Sequence, residues 1–145
     1  MSNYKKYSID LEVKYKPLEI IDVSKMAATC SKKWQNLSLC NVNDSVVRLA
    51  VIEGEFHWHK HEKEDEFFVQ VQGSSTIVVD DGHGLEEIAL SGLNNAIFLP
   101  TKVWHHFKNL SDNCVILALT STNYDPDRSD YCENYEDFQK LVNKG

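Results

Sequence analysis

Three histidines alternate with two other residues in the segment His57-Trp58-His59-Lys60-His61. Successive side chains of an extended strand point to opposite faces, so the three imidazoles are expected on one face, and Trp58 and Lys60 on the other. An imidazole can bind a metal ion or carry a proton near neutral pH. If this face lines the inside of a barrel, the imidazoles must be paired with other groups or bound to a metal, because buried polar groups need partners.

Two further side chains complete a candidate metal site. Glu66 follows five residues after His61, past a charged turn, and a chain reversal of that length brings its carboxylate back towards the imidazoles. His105 arrives from a distant strand. The predicted ligands of one divalent transition metal (Fe, Mn, Ni, Co or Zn) are therefore His59, His61, Glu66 and His105. This set leaves room at the ion for water or substrate, which catalysis at a metal requires.

The role of His57 has two interpretations. Imidazoles at positions i and i+2 of a strand can both reach one ion, so His57 could replace His61 as a ligand. Otherwise His57 lies on the same face outside the metal set and is a candidate general base. The spacing from Glu66 favours the set that contains His61. Two other histidines, His83 in a turn and His106, are assigned no chemistry.

Most of the chain after residue 44 consists of short runs with a period of two, separated by Gly, Pro, Asn or Asp turn signals. These runs predict strands at residues 45–54, 55–61, 66–73, 75–82, 85–92, 95–100, 103–109 and 114–121. A hairpin is expected between 76–80 and 85–90, across the turn DDGHG. Strands that follow one another without intervening helices indicate an antiparallel sandwich or barrel.

One helix is predicted near each end of the chain. Residues 24–37 place apolar side chains at helical spacing behind Asp22 or Ser24 as a cap, namely Met26, Cys30, Trp34 and Leu37. Residues 134–143 have an apolar face behind Asn134. The sequence therefore predicts an all-β fold with short helices near the N- and C-termini.

The composition excludes several kinds of partner. The net charge is −7, with 22 acidic residues against 15 basic ones, of which only Arg48 and Arg128 are arginines. This charge repels phosphate backbones, so nucleic acid is not expected. No apolar run approaches the roughly 20 residues that a membrane span needs. The N-terminal residues lack the apolar region of a signal peptide and the four cysteines form no CxxC pair, so a cytoplasmic protein with reduced thiols is expected.

The histidines and their spacing resemble the cupin superfamily. Its first motif is matched by Gly54, His59, His61, Glu66 and Gly73, and its second by Pro100, His105 and Asn109, with Lys102 in the usual glycine position. The resemblance implies a single-domain, jelly-roll-like cupin β-barrel over residues 1–145. Its expected parts are an N-terminal strand and helix extension (1–40), a barrel core (45–122) and a C-terminal helix (134–143).

A narrower resemblance covers residues 73–143, which are similar to the nucleotide-sugar 3,4-ketoisomerases. Those are metal-independent cupins that act on dTDP-4-keto-6-deoxyglucose. Their R-G-x-H-x-H segment implies His57 and His59 as the acid/base pair of this chain, with Gly54 in the arginine position. Residues 54–68 instead resemble small metal-binding cupins of largely unassigned activity. The chain thus combines two signatures.

The leading hypothesis is a metal-binding cupin enzyme that acts on a small carbohydrate-like substrate, with isomerisation of a dTDP-keto-sugar as the best guess. A carbonyl bound to a metal is polarised, which makes the adjacent proton more acidic. One alternative is an Fe(II)-dependent cupin dioxygenase, which consumes oxygen with iron and not with zinc. Another is a non-enzymatic cupin that binds a metal or a sugar. The candidate substrate-binding residues are Phe68, Gln70, Phe98 and Trp104.

A nucleotide-sugar substrate also needs contacts to its diphosphate. Lys60 and Lys102 are the nearest basic candidates, although strand alternation turns Lys60 outward. Small cupins resemble one another in pairing their barrels, often with exchanged N-terminal strands, which implies a homodimer. Residues 8–16 alternate well enough to form such a strand or to cap their own barrel.

Overall fold

The computed structural model describes residues 8–30, 33–91, 94–120, 131–132 and 136. One helix and several strands follow in chain order: β1 (Ser8–Asp10), α1 (Val23–Thr29), β2 (Gln35–Val42), β3 (Ser45–His61), β4 (Glu66–Gln72), β5 (Ser75–Asp80), β6 (Leu85–Leu90), β7 (Ala96–Leu99), β8 (Trp104–Thr120) and β9 (Tyr131–Cys132). Among these described residues, no helix has the length and hydrophobicity that a membrane span requires.

Helix α1 is shorter than the sequence predicts. Asp22 caps it as expected, since its side chain accepts a hydrogen bond from the backbone N–H of Lys25. The helix ends at Thr29, because Cys30 is extended and bonds back to the carbonyl of Ala27. The prediction of a helix over 24–37 is therefore wrong beyond Thr29.

Strand β2 begins where the predicted helix was expected to continue. The backbone N–H of Trp34 donates to the carbonyl of Val51, and β2 then pairs with β3 in antiparallel register. Leu37 and Leu39 are buried two residues apart, which is the period of a strand. The helical spacing of Trp34 and Leu37 was therefore misleading, because hydrogen bonds to β3 decide the local structure.

The two longest strands form the frame of the barrel. The four runs predicted at 45–54, 55–61, 103–109 and 114–121 merge pairwise into β3 and β8, which pair with each other in antiparallel register. The second half of β8 also pairs with β4, and its first half pairs with β5. The sheet runs β1-β2-β3-β8-β4-β7, with β6-β5 attached to β8 and β9 attached to β3.

Strand β3 bends on its way along the barrel. Its register against β8 shifts between Ile52 and Gly54, between Gly54 and Phe56, and between Phe56 and His59. Each shift is a bulge-like irregularity, which bends a strand and increases its twist. Gly54 has a φ of +75°, a conformation that glycine adopts without steric cost.

The hydrophobic core fills the space that β3, β4, β5 and β8 enclose. It consists of Ile52, Phe68, Ile77, Leu90, Leu99, Phe107, Cys114, Ile116 and Ala118. A second cluster lies under α1, where Met26 and Ala27 pack against Leu37, Leu39 and Leu49. The predicted hairpin is present, with Asp80 opposite Leu85.

The ends of the chain are described in part. Strand β1 pairs in parallel with β2 over Ser8–Asp10, so the strand predicted over 8–16 is shorter. The backbone N–H groups of Lys14 and Tyr15 still donate to carbonyls of β2. The helix predicted over 134–143 lies outside the described residues, apart from Glu136.

Gly73 ends β4 at a crowded point beside β8. Its φ is +79°, and a Cβ placed there would overlap Oγ of Ser111 and lie 3.1 Å from Cα of Cys114. The neighbouring backbone cannot retreat easily, because Ser74 and Ser111 exchange hydrogen bonds across the gap. Gly73 is therefore required both by its backbone conformation and by the lack of space.

We expect Gly73→Ala to lower the free energy of unfolding by about 2–3 kcal/mol, since it adds a steric overlap to the left-handed backbone penalty. Gly54→Ala is the matched control, because Gly54 has a similar φ and no atom within 4 Å of an added Cβ. The control should lose about 1 kcal/mol. Urea unfolding measures both, and equal losses would contradict the steric argument.

Candidate active site

His59 and His105 meet at one end of the barrel. They are cross-strand partners on β3 and β8, and their ring centres lie 4.2 Å apart. Both side chains are buried, His59 with 5% and His105 with 2% of its surface exposed. The antiparallel register of the two long strands thus brings together histidines that are distant in sequence.

Glu66 faces these rings from β4. It opens the strand and is buried, opposite Leu99 and Thr120 in the sheet. Its Oε1 lies 2.9 Å from Nε2 of His61, which is an ion-pair distance. Among the described residues, this oxygen accepts no hydrogen bond of good geometry. The same oxygen lies 3.7 Å from Nε2 of His105. The four predicted metal ligands are therefore neighbours.

Two backbone hydrogen bonds join the turns that carry these groups. The N–H of Thr101 donates to Oδ1 of Asp65 at 3.0 Å, and the N–H of Lys102 donates to the carbonyl of His61 at 2.6 Å. Lys102 has a φ of +68°. The turn before β8 is thus attached to the turn after β3, which holds His105 close to His61.

The donor set fits a divalent metal ion. The candidate ligand atoms of His59, Glu66 and His105 all lie within 4.8 Å of one another. Nδ1 of His105 lies 3.0 Å from the carbonyl of Val103. If Nδ1 carries the proton and donates to this carbonyl, Nε2 has a lone pair that points into the barrel. That Nε2 is buried and has no hydrogen-bond partner among the described residues. Metal-binding histidines typically use one nitrogen for the ion and donate the other N–H to a carbonyl or carboxylate.

The ionisation of the cluster follows from burial and from its charges. Burial alone would raise the pKa of Glu66, but His61, His105 and Arg48 together hold this pKa below its usual value. Burial lowers the pKa of His105, against the opposing effect of Glu66. A charged Glu66 beside a neutral His105 is the state in which both can act as ligands.

Three polar residues without a predicted role belong to the same end of the barrel, namely Glu64, Arg48 and Thr120. Glu64 turns inward and places Oε2 3.3 Å from Nδ1 of His61. Arg48 is buried and donates from Nη1 to Oγ1 of Thr120 at 3.4 Å. A single arginine within the apolar run of residues 46–52 signals a buried charge, so Arg48 could have been found. The inward turn of Glu64 could not, since acidic residues surround it.

The side chain of His57 lies outside the described residues. His57 shares a face with His59 only if side chains alternate without interruption along the strand. The register of β3 shifts between Phe56 and His59, and this interval contains His57. Alternation therefore does not extend reliably to His57, and its role as a catalytic residue stays a prediction.

Two of the four expected substrate-binding residues face the barrel interior but are used for packing. Phe68 packs edge-on against Phe107, with ring centres 5.6 Å apart. Gln70 is fully buried, and its amide accepts from Ser75 and donates to the carbonyl of Gln72 and to Sγ of Cys114. The polar groups of Gln70 are thus already engaged within the core.

The other two expected substrate-binding residues lie on different faces of their strands. Phe98 pairs with Phe67, and both are exposed on the side of the sheet opposite to Glu66. Trp104 precedes His105 on β8 and so points to the other face, where the amine of Lys60 lies 5.3 Å from its ring centre. Strand alternation places Phe98 and Trp104 on faces other than those of Glu66 and His105, and their role in substrate binding stays a prediction.

Comparison with known families agrees with this architecture. Residues 45–143 match the family model described as FdtA: WxcM-like, C-terminal. The chain belongs to this family. Among curated relatives, the TDP-4-oxo-6-deoxy-alpha-D-glucose-3,4-oxoisomerase of Aneurinibacillus thermoaerophilus is 32% identical over 87 residues. The match covers 60% of this chain and 61% of that relative, which is less than two thirds of its length.

Solved structures of other proteins share this fold. A cupin-2 domain protein of Shewanella frigidimarina superposes with a TM-score of 0.62 at 25% identity, over 69% of this chain and 92% of that chain. The TDP-quinovose 3,4-ketoisomerase WlaRB of Campylobacter jejuni gives 0.58 at 25% identity, over 65% and 73%. The predicted all-β cupin fold and the resemblance to sugar 3,4-ketoisomerases are thereby confirmed.

The stability of the metal-free protein should depend on the charge of Glu64. Burial raises the pKa of this carboxyl from 4.5 to about 7, and Glu66 adds to the effect, against His61 and Arg48. The folded protein then holds the proton more tightly than the unfolded chain, so stability falls as the pH rises through this window. Glu64→Gln should therefore be more stable than the wild type above pH 7, by up to ~3 kcal/mol, and not at pH 4.

Urea unfolding in chelator at pH 4, 6 and 8 measures this difference. Glu62→Gln is the control, since it removes a carboxylate of the same turn that instead pairs with Lys60 at 2.7 Å. A gain for Glu64→Gln of the same size at pH 4 and pH 8 would be inconsistent with a buried carboxylate as its cause.

If the site binds a metal, protein purified without chelator or affinity metal should hold one transition metal ion per chain. His105→Asn should lose it, because the buried Nε2 is removed. His106→Asn is the control, since His106 packs against Trp58 on the opposite face of β8. Elemental analysis makes the measurement, and wild-type protein that takes up no added Zn, Co or Fe would rule out the metal site.

Proposed function

We propose that this protein is an isomerase that moves a carbonyl group between adjacent carbons of a nucleotide-linked keto-sugar. The leading substrate is dTDP-4-keto-6-deoxyglucose. The observation that carries the proposal is the location of the histidine cluster. It lies within residues 45–143, which match the FdtA: WxcM-like, C-terminal family model, and a curated TDP-4-oxo-6-deoxy-alpha-D-glucose-3,4-oxoisomerase is 32% identical to the chain over 87 residues. His59, His61 and His105 gather there with Glu66 at one end of the barrel.

The reaction requires only the movement of protons. A base removes the proton from C3 while an acid protonates O4, which forms an enediol. Removal of the O3 proton and return of a proton to C4 complete the change from a 4-keto to a 3-keto sugar. No electron acceptor is consumed. Imidazoles suit both steps because their pKa lies near neutral pH.

His59 is the described residue that supports this chemistry best. It is buried beside His105, at the barrel end to which Glu66 also contributes. The family resemblance assigns His57 and His59 as the acid/base pair, and we keep this pair as the proposal. A substrate carbonyl that reaches His59 would meet the described polar groups of this barrel end, among them His61 and Glu66.

Two lysines remain as candidates for the diphosphate. Lys60 is engaged elsewhere, since its amine lies 2.7 Å from Glu62 and stacks over Trp104. Lys102 is exposed, and its backbone is bonded to His61 at the rim of the site. Lys102 is therefore the better supported of the two contacts.

A second candidate function uses the same residues as a metal centre. Two histidines and one carboxylate are a donor set of non-haem Fe(II) oxygenases, and His59, Glu66 and His105 form such a group. A metal held there would polarise a bound carbonyl or support O₂ chemistry. His59 cannot use the same nitrogen as ligand and as base, so the two functions make different predictions for metal-free protein.

His59→Asn should lower kcat for dTDP-4-keto-6-deoxyglucose by about 10²–10⁴-fold, because it removes a proton carrier. His83→Asn in the exposed β5–β6 turn should leave kcat unchanged. NMR of the product, with deuterium incorporation from D₂O at the carbon that receives the proton, measures turnover.

A chelator-treated wild type provides the discriminating condition. Full activity without metal supports the proton role of His59, and activity restored only by metal supports its role as a ligand. Wild-type protein that neither converts the sugar nor exchanges its protons would rule out the isomerase. Oxygen uptake by iron-loaded, but not zinc-loaded, protein would then favour the second function.

A further inference from the structure

Glu64 has an unusual position for a residue of an acidic turn. The turn between β3 and β4 contains Glu62, Lys63 and Asp65, and the side chain of Glu62 is 38% exposed. The side chain of Glu64 is only 12% exposed and points into the barrel end. Burial removes hydration from this carboxylate, and its polar partners offset part of that cost.

The partners of Glu64 come from two strands, β3 and β8. Its Oε2 lies 3.3 Å from Nδ1 of His61, at the end of β3. It also hydrogen-bonds Thr120, at the end of β8, and Arg48 of β3 contributes an attractive charge. Arg48 in turn donates to Oγ1 of Thr120 at 3.4 Å. Thr120 and Arg48 therefore stabilise the carboxylate in addition to His61.

This arrangement leaves His61 with a carboxylate at each nitrogen. Nδ1 faces Glu64 at 3.3 Å, and Nε2 faces Glu66 at 2.9 Å. His61 is not a member of the donor group formed by His59, Glu66 and His105. The His61 ring therefore lies between two carboxylates, with Glu64 at Nδ1 and Glu66 at Nε2.

We propose that Glu64 is a positioning residue of this site: supported by Arg48 and Thr120, its carboxylate accepts a hydrogen bond from Nδ1–H of His61 and so fixes the ring with Nε2 towards Glu66. The arrangement stands without the proposed function, whereas its use in sugar isomerisation rests on that function. A histidine whose outer nitrogen is fixed by a carboxylate has a defined tautomer and orientation.

The direct test is the protonation pattern of the His61 ring in metal-free protein at a fixed pH above 8, where Glu64 is ionised because its pKa is about 7. Long-range ¹⁵N–¹H correlations, assigned with a His61→Gln variant, distinguish a proton on Nδ1 from one on Nε2. We expect the wild type to carry a persistent proton on Nδ1. Glu64→Gln should keep it, since the amide oxygen still accepts, and Glu64→Met should lose it. Glu62→Gln, which alters the same turn on its outer side, should match the wild type.

A bare Nδ1 in the wild type, or an unchanged pattern in Glu64→Met, would overturn the proposal. The wild-type spectrum alone decides the matter if Glu64→Met fails to fold. The second readout is turnover. If the chain isomerises the keto-sugar, Glu64→Met should lower kcat about 10–100-fold with little change in KM, and Glu64→Gln should recover most of the loss. Absence of isomerisation would count against the proposed function. The positioning role of Glu64 would then be decided by the spectroscopic result alone.

Discussion

Glu66 places a carboxylate at the end of a barrel whose hydrophobic core consists mainly of Ile, Leu and Phe side chains. An uncompensated charge at such a position would cost several kcal/mol. The compensation comes from His61, His105 and Arg48, which together hold the pKa of Glu66 low despite its burial. The positions of these groups are therefore not independent of one another. They all follow from the need to stabilise one buried charge.

The same requirement explains why two turns are attached to each other. His61 reaches Glu66 only if β3 extends to its last residue, and His105 does so only if β8 begins next to that point. The hydrogen bonds from Thr101 to Asp65 and from Lys102 to His61 hold both strand ends in this position. Lys102 adopts a left-handed backbone conformation to make its bond, a position where cupins usually have glycine. The unfavourable backbone conformation of Lys102 thus occurs where its hydrogen bond holds the strand ends of the site together.

The long strands β3 and β8 connect the site to the core. Along this pair of strands, the register places His59 opposite His105 at one end of the pair and Val46 opposite Thr120 at the other end of the pair. The bulges near Gly54 and Phe56 let β3 bend between these two regions while its hydrogen bonds to β8 continue. Because Arg48 lies on the first half of β3 and His61 on the second, the polar cluster spans this bend. Packing of the core and alignment of the polar groups are consequently set by the same pair of strands.

The sequence by itself determined the all-β class, the hairpin at residues 80–85, the Asp22 cap and the cupin family, because periodicity, turn residues and motif spacing are local properties. It also grouped His59, His61, Glu66 and His105 as predicted metal ligands through their match to known motifs. Only the tertiary structure decided which face each side chain occupies. A bulge interrupts the alternation around His57, and Phe98 and Trp104 lie on the faces opposite to those of Glu66 and His105. The inward turn of Glu64 and its contacts with His61, Thr120 and Arg48 join residues far apart in the chain. Such contacts depend on strand register and on the compensation of buried charge, which no local pattern of residues encodes.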